Sequence, residues 1–183
     1  MLSTMKALII VDMLNDFVTG SLKCDRAQRI IPHIRELIDG FHKQKLPVIF
    51  ANDSHLDTDF EMHRWGAHAI EGTEGAEVIP ELKPHDDDII VGKHVYSSFF
   101  ETPLDSILRS RNIKEVVLTG LHTHLCVRHT AADAFFRGYK IIIPEDGVDS
   151  FTVEDHESGL AYLKEYYGAT ISDASSILKK LPK

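Results

Sequence analysis

Short apolar runs alternate with longer amphipathic segments along this chain, and this alternation restricts the fold classes that the chain can adopt. The runs are apolar at consecutive positions, which is typical of strands buried on both faces of a parallel sheet. The segments between them predict helices that cover the two faces. We therefore predict an α/β fold: a doubly wound, Rossmann-like, three-layer α/β/α domain with a mostly parallel six-stranded sheet. The predicted strands are 6–11, 47–51, 88–91, 115–119, 139–143 and 169–172.

Four amphipathic segments have the spacing of helices, at 25–45, 102–111, 126–137 and 153–167. Gly138 and Gly168 follow the last two of these, and glycine is the usual residue just past a helix end. Asp173 is a predicted N-cap for one more short helix. A length of 183 residues suits a single domain, 1–183, with one core.

Composition excludes several classes of protein. The chain is 43% hydrophobic and 26% charged, as globular proteins are, and its net charge of −8 argues against a partner that is a nucleic acid. The longest apolar run is far below the roughly 20 residues of a membrane span. The N-terminus lacks the pattern of a signal peptide, which predicts a cytoplasmic protein. Two cysteines do not form a disulfide framework, and Cys24 is expected to be structural.

The connection between the second and third predicted strands, 52–87, is unusually long and rich in His, Glu, Asp and Gly. Loops of this length inside a compact domain are usually functional or disordered. Trp65 is the only tryptophan and lies inside it, which favours an ordered loop.

Three reactive side chains each follow a predicted strand. Asp12 follows the first, Lys93 the third, and Cys126 lies between the fourth strand, which Gly120 ends, and a helix. Each alone has an ordinary interpretation: a capping Asp, a solvated Lys and a small buried thiol. The carboxyl ends of parallel strands meet at one edge of the sheet, so the three can converge there as nucleophile, base and positioning charge. A thiol at a helix N-terminus is expected to have a lowered pKa.

The long connection begins with a possible metal site. Asp53 and His55 come directly after the second predicted strand and, two residues apart, point the same way in an extended segment. With His68 they suit a divalent metal, Zn²⁺ first and Fe²⁺ or Mn²⁺ as alternatives. The other interpretation is a polar loop without a metal. His63 is a competing ligand that the pattern does not favour.

A second arrangement also resembles a zinc site. The pattern H-x-H-x-C-x-x-H comprises His122, His124, Cys126 and His129. Residues on a strand-to-helix turn diverge, and Cys126 is better used as a nucleophile, so this alternative is the less favoured one.

The segments VDMLNDF, GKHVYSSF and TGLHTHLCVRHTAADAFFRG resemble those of the isochorismatase-like cysteine hydrolases, and the resemblance runs from Lys6 to Leu178. Within that family the loop pieces NDSH and WGAHAIEGTEGAEVIPEL are most similar to those of nicotinamidases. Leu14 departs from relatives that often have Gln there, and the loop is shorter and poorer in proline than theirs. Both departures bear on which substrate is expected more than on the type of reaction.

The resemblance implies a catalytic triad of Asp12, Lys93 and Cys126. It also implies a cis peptide bond between Leu121 and His122, which turns the His122 amide toward the Cys126 amide so that the two form an oxyanion hole.

For the metal, the resemblance implies the ligands Asp53, His55 and His68, with Glu61 as a weaker fourth, and a role in holding a pyridine nitrogen. Further residues are implied as the substrate pocket: Phe17 and Trp65 would sandwich a flat ring, and Tyr96 would close the pocket. The alternative for Phe17 and Tyr96 is that they are plain core aromatics.

These features predict an amidase that hydrolyses nicotinamide to nicotinate and ammonia in NAD salvage. One alternative is a related hydrolase acting on another small amide or an N-carbamoyl or ureido compound. Another is isochorismate-type vinyl-ether hydrolysis, which Cys126 disfavours, and the last is a non-catalytic binding domain, which the complete triad disfavours. We expect a small-molecule substrate, no nucleic acid, no membrane, and a homo-oligomer for which helix 102–111 could serve as an interface.

Overall fold

The computed structural model describes residues 5–182 and has a seven-stranded parallel sheet. Along its main path the strand order is β3-β2-β1-β4-β5-β7, and β6 pairs with β4 beyond the end of β5. The strands are β1 (Lys6–Val11), β2 (Val48–Asp53), β3 (Ile89–Lys93), β4 (Glu115–Leu121), β5 (Lys140–Pro144), β6 (Val148–Asp149) and β7 (Thr170–Ser172). This order is that of doubly wound sheets, so the predicted fold class is confirmed.

The described residues also contain seven α-helices and three 3-10 turns. The α-helices are α1 (Asn15–Val18), α2 (Ile31–Lys43), α3 (Met62–Trp65), α4 (Leu104–Ser110), α5 (Cys126–Phe136), α6 (Val153–Tyr167) and α7 (Ala174–Lys179). The 3-10 turns are Asp25–Arg29, Glu74–Ala76 and Pro80–Leu82. Gly168 has the left-handed conformation at the end of α6, and Asp173 caps α7 by accepting the Ser176 N–H, as predicted. Within the described residues, no helix is long and apolar enough to cross a membrane.

The core consists of two apolar layers, one on each face of the sheet. Leu8 and Ile10 of β1 point to the layer shared with α2 and α7. Ile9 and Val11 point to the opposite layer, which contains side chains of α4, α5 and α6. Alternate residues of one strand therefore fill both layers, and this is why the strand is apolar at every position.

The predicted helix at 25–45 is wrong in one respect: it is a 3-10 turn followed by α2. Pro32 explains the break. It has no N–H to donate, so it fits only the first turn of a helix, and α2 accordingly begins at Ile31. The prediction of six strands missed β6, which is only two residues long.

Three strands also continue further than predicted. They end at Asp53, Lys93 and Leu121, so these residues belong to the sheet rather than follow it. Gly120 accordingly lies inside β4 and does not end it. Its φ is +98°, and a Cβ there would approach the Val11 carbonyl oxygen to 2.0 Å, so only glycine fits.

The long connection is ordered by its own short elements. It contains α3 and two of the 3-10 turns, and His55 forms an isolated parallel bridge with Ile70. Its end returns to the start of the chain, where Val78 forms an antiparallel bridge with Leu14. The loop therefore folds back over the carboxyl ends of β1 and β2.

Candidate active site

Asp12 and Lys93 meet at the point where the strand order reverses. Asp12 follows β1 with a φ of 55°, and one of its carboxylate oxygens lies 2.8 Å from the Lys93 ammonium. The other oxygen accepts the backbone N–H of Asp53 at 2.7 Å. Lys93 also pairs with the Asp53 carboxylate, and all three side chains are buried. One ammonium is thus shared by two carboxylates in a water-poor site.

Cys126 is the first residue of α5 and lies beside this pair. Its Sγ is within 4.8 Å of carboxylate oxygens of both Asp12 and Asp53. Burial raises the pKa of the Cys126 thiol well above its ordinary value, an effect that the Lys93 charge only partly opposes. The expected lowering of its pKa by the helix is therefore wrong for the free protein, because desolvation outweighs the dipole. The resting group is a neutral thiol that needs a base.

The Asp12 carboxyl has the electrostatics of such a base. Burial and then the Asp53 charge raise its pKa to about 6, against the opposing effect of Lys93. Burial alone would lower the pKa of Lys93, but Asp12 and Asp53 raise it well above its usual value. At neutral pH the cluster therefore holds a protonated lysine, an ionised Asp12 and a proton on the thiol.

The turn before Cys126 has the cis peptide bond at the expected place, between Leu121 and His122. The His122 carbonyl accepts the N–H groups of Leu125 and Val127 at 2.9 and 3.2 Å, which organises the entry to α5. The hydrogen bonds of residues 5–182 leave the amides of His122 and Cys126 without a protein acceptor. The turn that leads to Cys126 therefore has two N–H donors free of protein acceptors among the residues described.

Asp53, His55 and His68 come together in three dimensions. Each offers a ligand atom, these atoms lie within 4.8 Å of one another, and all three residues are buried. The His55 Nε2 is buried without a hydrogen-bond partner and lies 3.5 Å from an Asp53 oxygen. A carboxylate and two imidazoles, one of them with an unpartnered nitrogen, fit a divalent metal ion.

The two weaker candidates for a ligand differ in position. Glu61 is buried and lines the same pocket as Asp53 and His68, but it lies outside the three-residue ligand group. Burial and the Asp53 charge raise its pKa to about 7. His63 is exposed on α3, so the competing site that it would have formed is absent from the described structure.

The four side chains of the H-x-H-x-C-x-x-H pattern do not converge on a common point. His124 Nδ1 pairs with the Ser150 hydroxyl at 2.9 Å, and His129 Nδ1 donates to the Leu125 carbonyl at 2.8 Å. These side chains leave the turn in different directions, and they form no metal-binding group among the residues described.

A small, partly open pocket includes Cys126 in its lining. Its apolar and aromatic wall consists of Phe17, Leu22, Trp65, Tyr96, Leu125 and Phe151. Its polar wall consists of Asp53, Glu61, His68, His122 and Cys126. The lining contains no arginine or lysine among the described residues, so it suits a small, neutral and largely flat molecule.

The three aromatic residues named from the sequence all line this pocket. Trp65 stacks on Phe151 at 6.4 Å between ring centroids and donates its indole N–H to the Tyr96 hydroxyl at 2.8 Å. Phe17 lies edge-on to the rings of His68 and His122. The two rings of the expected pair therefore contact different neighbours: Phe17 contacts the two histidines, and Trp65 contacts Phe151 and Tyr96.

Two features of the pocket were missed by sequence reasoning. Phe151 follows β6, the strand too short to recognise, and it stacks on the His122 ring at 4.0 Å. Both ring nitrogens of His122 are buried without a partner, and burial lowers its pKa to about 3, so the ring is neutral. The resemblance to the family pointed to the His122 amide and allowed its side chain to line the pocket, but the sequence contained no signal that both ring nitrogens would lack a partner.

The doubly wound sheet and the buried thiol, acid and lysine at its reversal point define the class of protein: a cysteine hydrolase with a three-layer α/β/α fold. The isochorismatase domain family matches residues 6–176, and the chain belongs to that family. PncA of Bacillus subtilis, an isochorismatase family protein, is 35% identical over 92% of this chain and 99% of its own. Nicotinamidase 3 of Arabidopsis thaliana is 32% identical over 88% of this chain and 81% of its own.

Solved structures show the same architecture. N-carbamoylsarcosine amidase from Thermoplasma acidophilum has a TM-score of 0.88 and 42% identity, over 93% of this chain and 97% of that one. Nicotinamidase/pyrazinamidase PncA from Bacillus subtilis has a TM-score of 0.89 and 37% identity, over 93% and 100%. Pyrazinamidase of Pyrococcus horikoshii, solved in complex with zinc, has a TM-score of 0.86 and 31% identity, over 92% and 98%.

Proposed function

We propose that this protein is an amidase that hydrolyses nicotinamide to nicotinate and ammonia, as a step of NAD salvage. The observation that carries the proposal is the Asp53, His55 and His68 ligand group in the same small aromatic pocket as Cys126. Nicotinamide is a planar ring with one basic nitrogen, which suits the ligand group, and one carboxamide, which suits the Cys126 thiol. The similarity to nicotinamidases and pyrazinamidases supports the same substrate class.

In the first half of the reaction, Asp12 takes the proton of the Cys126 thiol. The thiolate attacks the amide carbon, a C–S bond forms, and the carbonyl electron pair moves onto oxygen. The His122 and Cys126 amides donate hydrogen bonds to that oxyanion. The loss of one donor of this kind typically slows catalysis by roughly 100-fold or more.

In the second half, Asp12 returns the proton to the departing nitrogen, the C–N bond breaks, and ammonia leaves a thioester. Asp12 then accepts a proton from water, which attacks the thioester carbon and releases the acid and the thiol. Lys93 stays protonated throughout and keeps Asp12 ionised and oriented, because a neighbouring positive charge lowers a carboxyl pKa.

Asp53, His55 and His68 would hold a divalent metal, with Zn²⁺ favoured by the zinc in the Pyrococcus horikoshii pyrazinamidase. Held there, such an ion would supply Lewis acidity toward a ring nitrogen of the substrate. Glu61 would be a further ligand only if its side chain moved toward the group.

A second candidate substrate class is N-carbamoyl compounds, favoured by the 42% identity to N-carbamoylsarcosine amidase. The same thiol, base and amide donors would cleave a carbamoyl C–N bond. Isochorismate suits the site poorly, because a substrate with two carboxylates would meet a pocket whose lining, within residues 5–182, contains no arginine or lysine. A non-catalytic binding role would leave the buried proton-transfer cluster without a purpose.

The deciding experiment is an ammonia-release assay on nicotinamide and on N-carbamoylsarcosine. It is run on the protein as purified, after chelation, and after Zn²⁺ is restored, with Cys126→Ala as the blank. We expect release from nicotinamide that chelation removes and Zn²⁺ restores. Metal-independent release from N-carbamoylsarcosine alone would replace the first proposal with the second.

The cytoplasmic location and the homo-oligomeric state remain predictions. Sedimentation equilibrium of the purified protein tests the second.

A further inference from the structure

One oxygen of Asp59 accepts three hydrogen bonds beside the proposed metal site. Asp59 Oδ2 lies 3.0 Å from His55 Nδ1, 2.8 Å from His94 Nδ1 and 2.9 Å from the backbone nitrogen of Leu56. The neighbouring backbone therefore anchors the carboxylate, and two imidazoles converge on it. Neither Asp59 nor His94 has a role in the chemistry described above.

This contact determines which nitrogen of His55 carries the proton. A carboxylate oxygen only accepts, so the His55 Nδ1 must donate, and a neutral ring then has its lone pair on Nε2. That Nε2 is the orphaned nitrogen of the ligand group, in a side chain with no exposed surface. The tautomer that Asp59 selects is the one that can bind a metal.

The Nδ1 of His68 is also held by a hydrogen bond, but to a different kind of acceptor. Its Nδ1 donates to the Gly66 carbonyl at 2.8 Å, which leaves Nε2 free. Because that acceptor is backbone, no substitution of a side chain removes it. His55 is the ligand whose orientation depends on a side chain.

We propose that Asp59 is a positioning residue that sets the tautomer and the ring orientation of His55 for metal binding, with His94 bracing the Asp59 carboxylate. The proposal rests on the metal site of the proposed function. Outer partners of this kind typically contribute about 10–100-fold to metal affinity. His94 is half exposed, so its own contribution is the smaller one.

The test measures the Zn²⁺ affinity of metal-free protein by competition with a chromophoric chelator, without an activity assay. The matched pair is Asp59→Ala and Asp57→Ala, since Asp57 is an exposed acid two residues away in the same loop. We expect Asp59→Ala to bind Zn²⁺ about 10–100-fold more weakly than the wild-type protein, and Asp57→Ala to bind it as the wild type does. Asp59→Asn keeps an acceptor oxygen and recovers most of the affinity.

Two results would overturn the proposal, and they differ in what else fails. Equal affinity of Asp59→Ala and Asp57→Ala refutes the role of Asp59 and leaves the metal site intact. A wild-type protein that binds no Zn²⁺ refutes the metal site and the role of Asp59 together. Thermal unfolding of the metal-free variants shows whether each is folded. If Asp59→Ala is not, Asp59→Leu, which keeps the side-chain volume but has no acceptor, is compared with Asp57→Leu by the same measurement.

Discussion

Asp12 accepts the backbone N–H of Asp53 at 2.7 Å, so the proposed base is fastened to a proposed metal ligand. Lys93 adds a second connection, because its ammonium pairs with both carboxylates. These residues lie at the ends of three adjacent strands whose register is set by backbone pairing. The place where a substrate ring would be held and the place where its amide would be attacked are therefore parts of one rigid unit.

Replacing the thiol should abolish turnover without unfolding the protein. We expect Cys126→Ala to lower kcat for ammonia release by roughly 10⁴-fold or more, as loss of a nucleophile does elsewhere. The matched control is Cys24→Ala, because Cys24 is also buried but donates only to the Ser150 carbonyl. Ammonia assays on both variants check this, and substantial turnover by Cys126→Ala would refute the thioester route.

The acid limb of the pH profile should report on Asp12. Its pKa is raised to about 6, and only the ionised form can take the thiol proton. The kcat/KM for ammonia release should therefore rise with pH through about 6 and level off above it. A profile measured from pH 4 to 8 checks the sign, and a flat or falling limb across that range would argue against Asp12 as the base.

Removing the shared ammonium should destabilise the fold. Lys93→Gln leaves the buried carboxylates of Asp12 and Asp53 without their counter-charge, and breaking a buried pair on one side costs about 3–5 kcal/mol of the free energy of unfolding. Denaturant unfolding measures this loss. Lys23→Gln breaks the exposed pair with Asp25 and should leave the unfolding midpoint unchanged. Equal midpoints for both variants would contradict the buried-pair argument.

Metal content should depend on His68 and not on its neighbour in the loop. His68→Ala removes a buried imidazole of the ligand group and should reduce bound Zn²⁺, measured by elemental analysis after dialysis, to a small fraction of the wild-type value. His63→Ala changes an exposed imidazole nearby and should retain the full content. Equal metal content in the two variants would count against the site.

The side chain of His122 should lower the stability of the free protein and strengthen substrate binding. Its two unpartnered nitrogens are a buried polar cost of about 1–3 kcal/mol in the free protein. His122→Phe keeps a ring to stack on Phe151 without that cost, so its thermal midpoint should rise. The KM should rise by about tenfold if the nitrogens bind substrate, since about 1.4 kcal/mol is tenfold in affinity. An unchanged KM would assign the ring to packing alone.

Much of the fold could be predicted from local pattern. Strands such as β1 and β4 are apolar at successive positions because they are buried on both faces, and the helices between them have one apolar face. β6 was not predicted because a strand of two residues is too short to show an apolar pattern. The ends of β2 and β4 were misplaced, because pairing with a neighbouring strand, rather than composition, determines where a strand stops.

The residue types in the candidate site were also visible in the sequence. Asp12 and Lys93 could be placed at one edge of the sheet, because parallel strands end there together. Local sequence and the resemblance to a family were sufficient to name the residues of the candidate site. They could not show that burial keeps the Cys126 thiol protonated, since desolvation depends on packing from the whole chain. Nor could they show which nitrogen of His55 is left free or that the His122 ring is unpartnered, because the orientation of an imidazole depends on the three-dimensional placement of its hydrogen-bond partners.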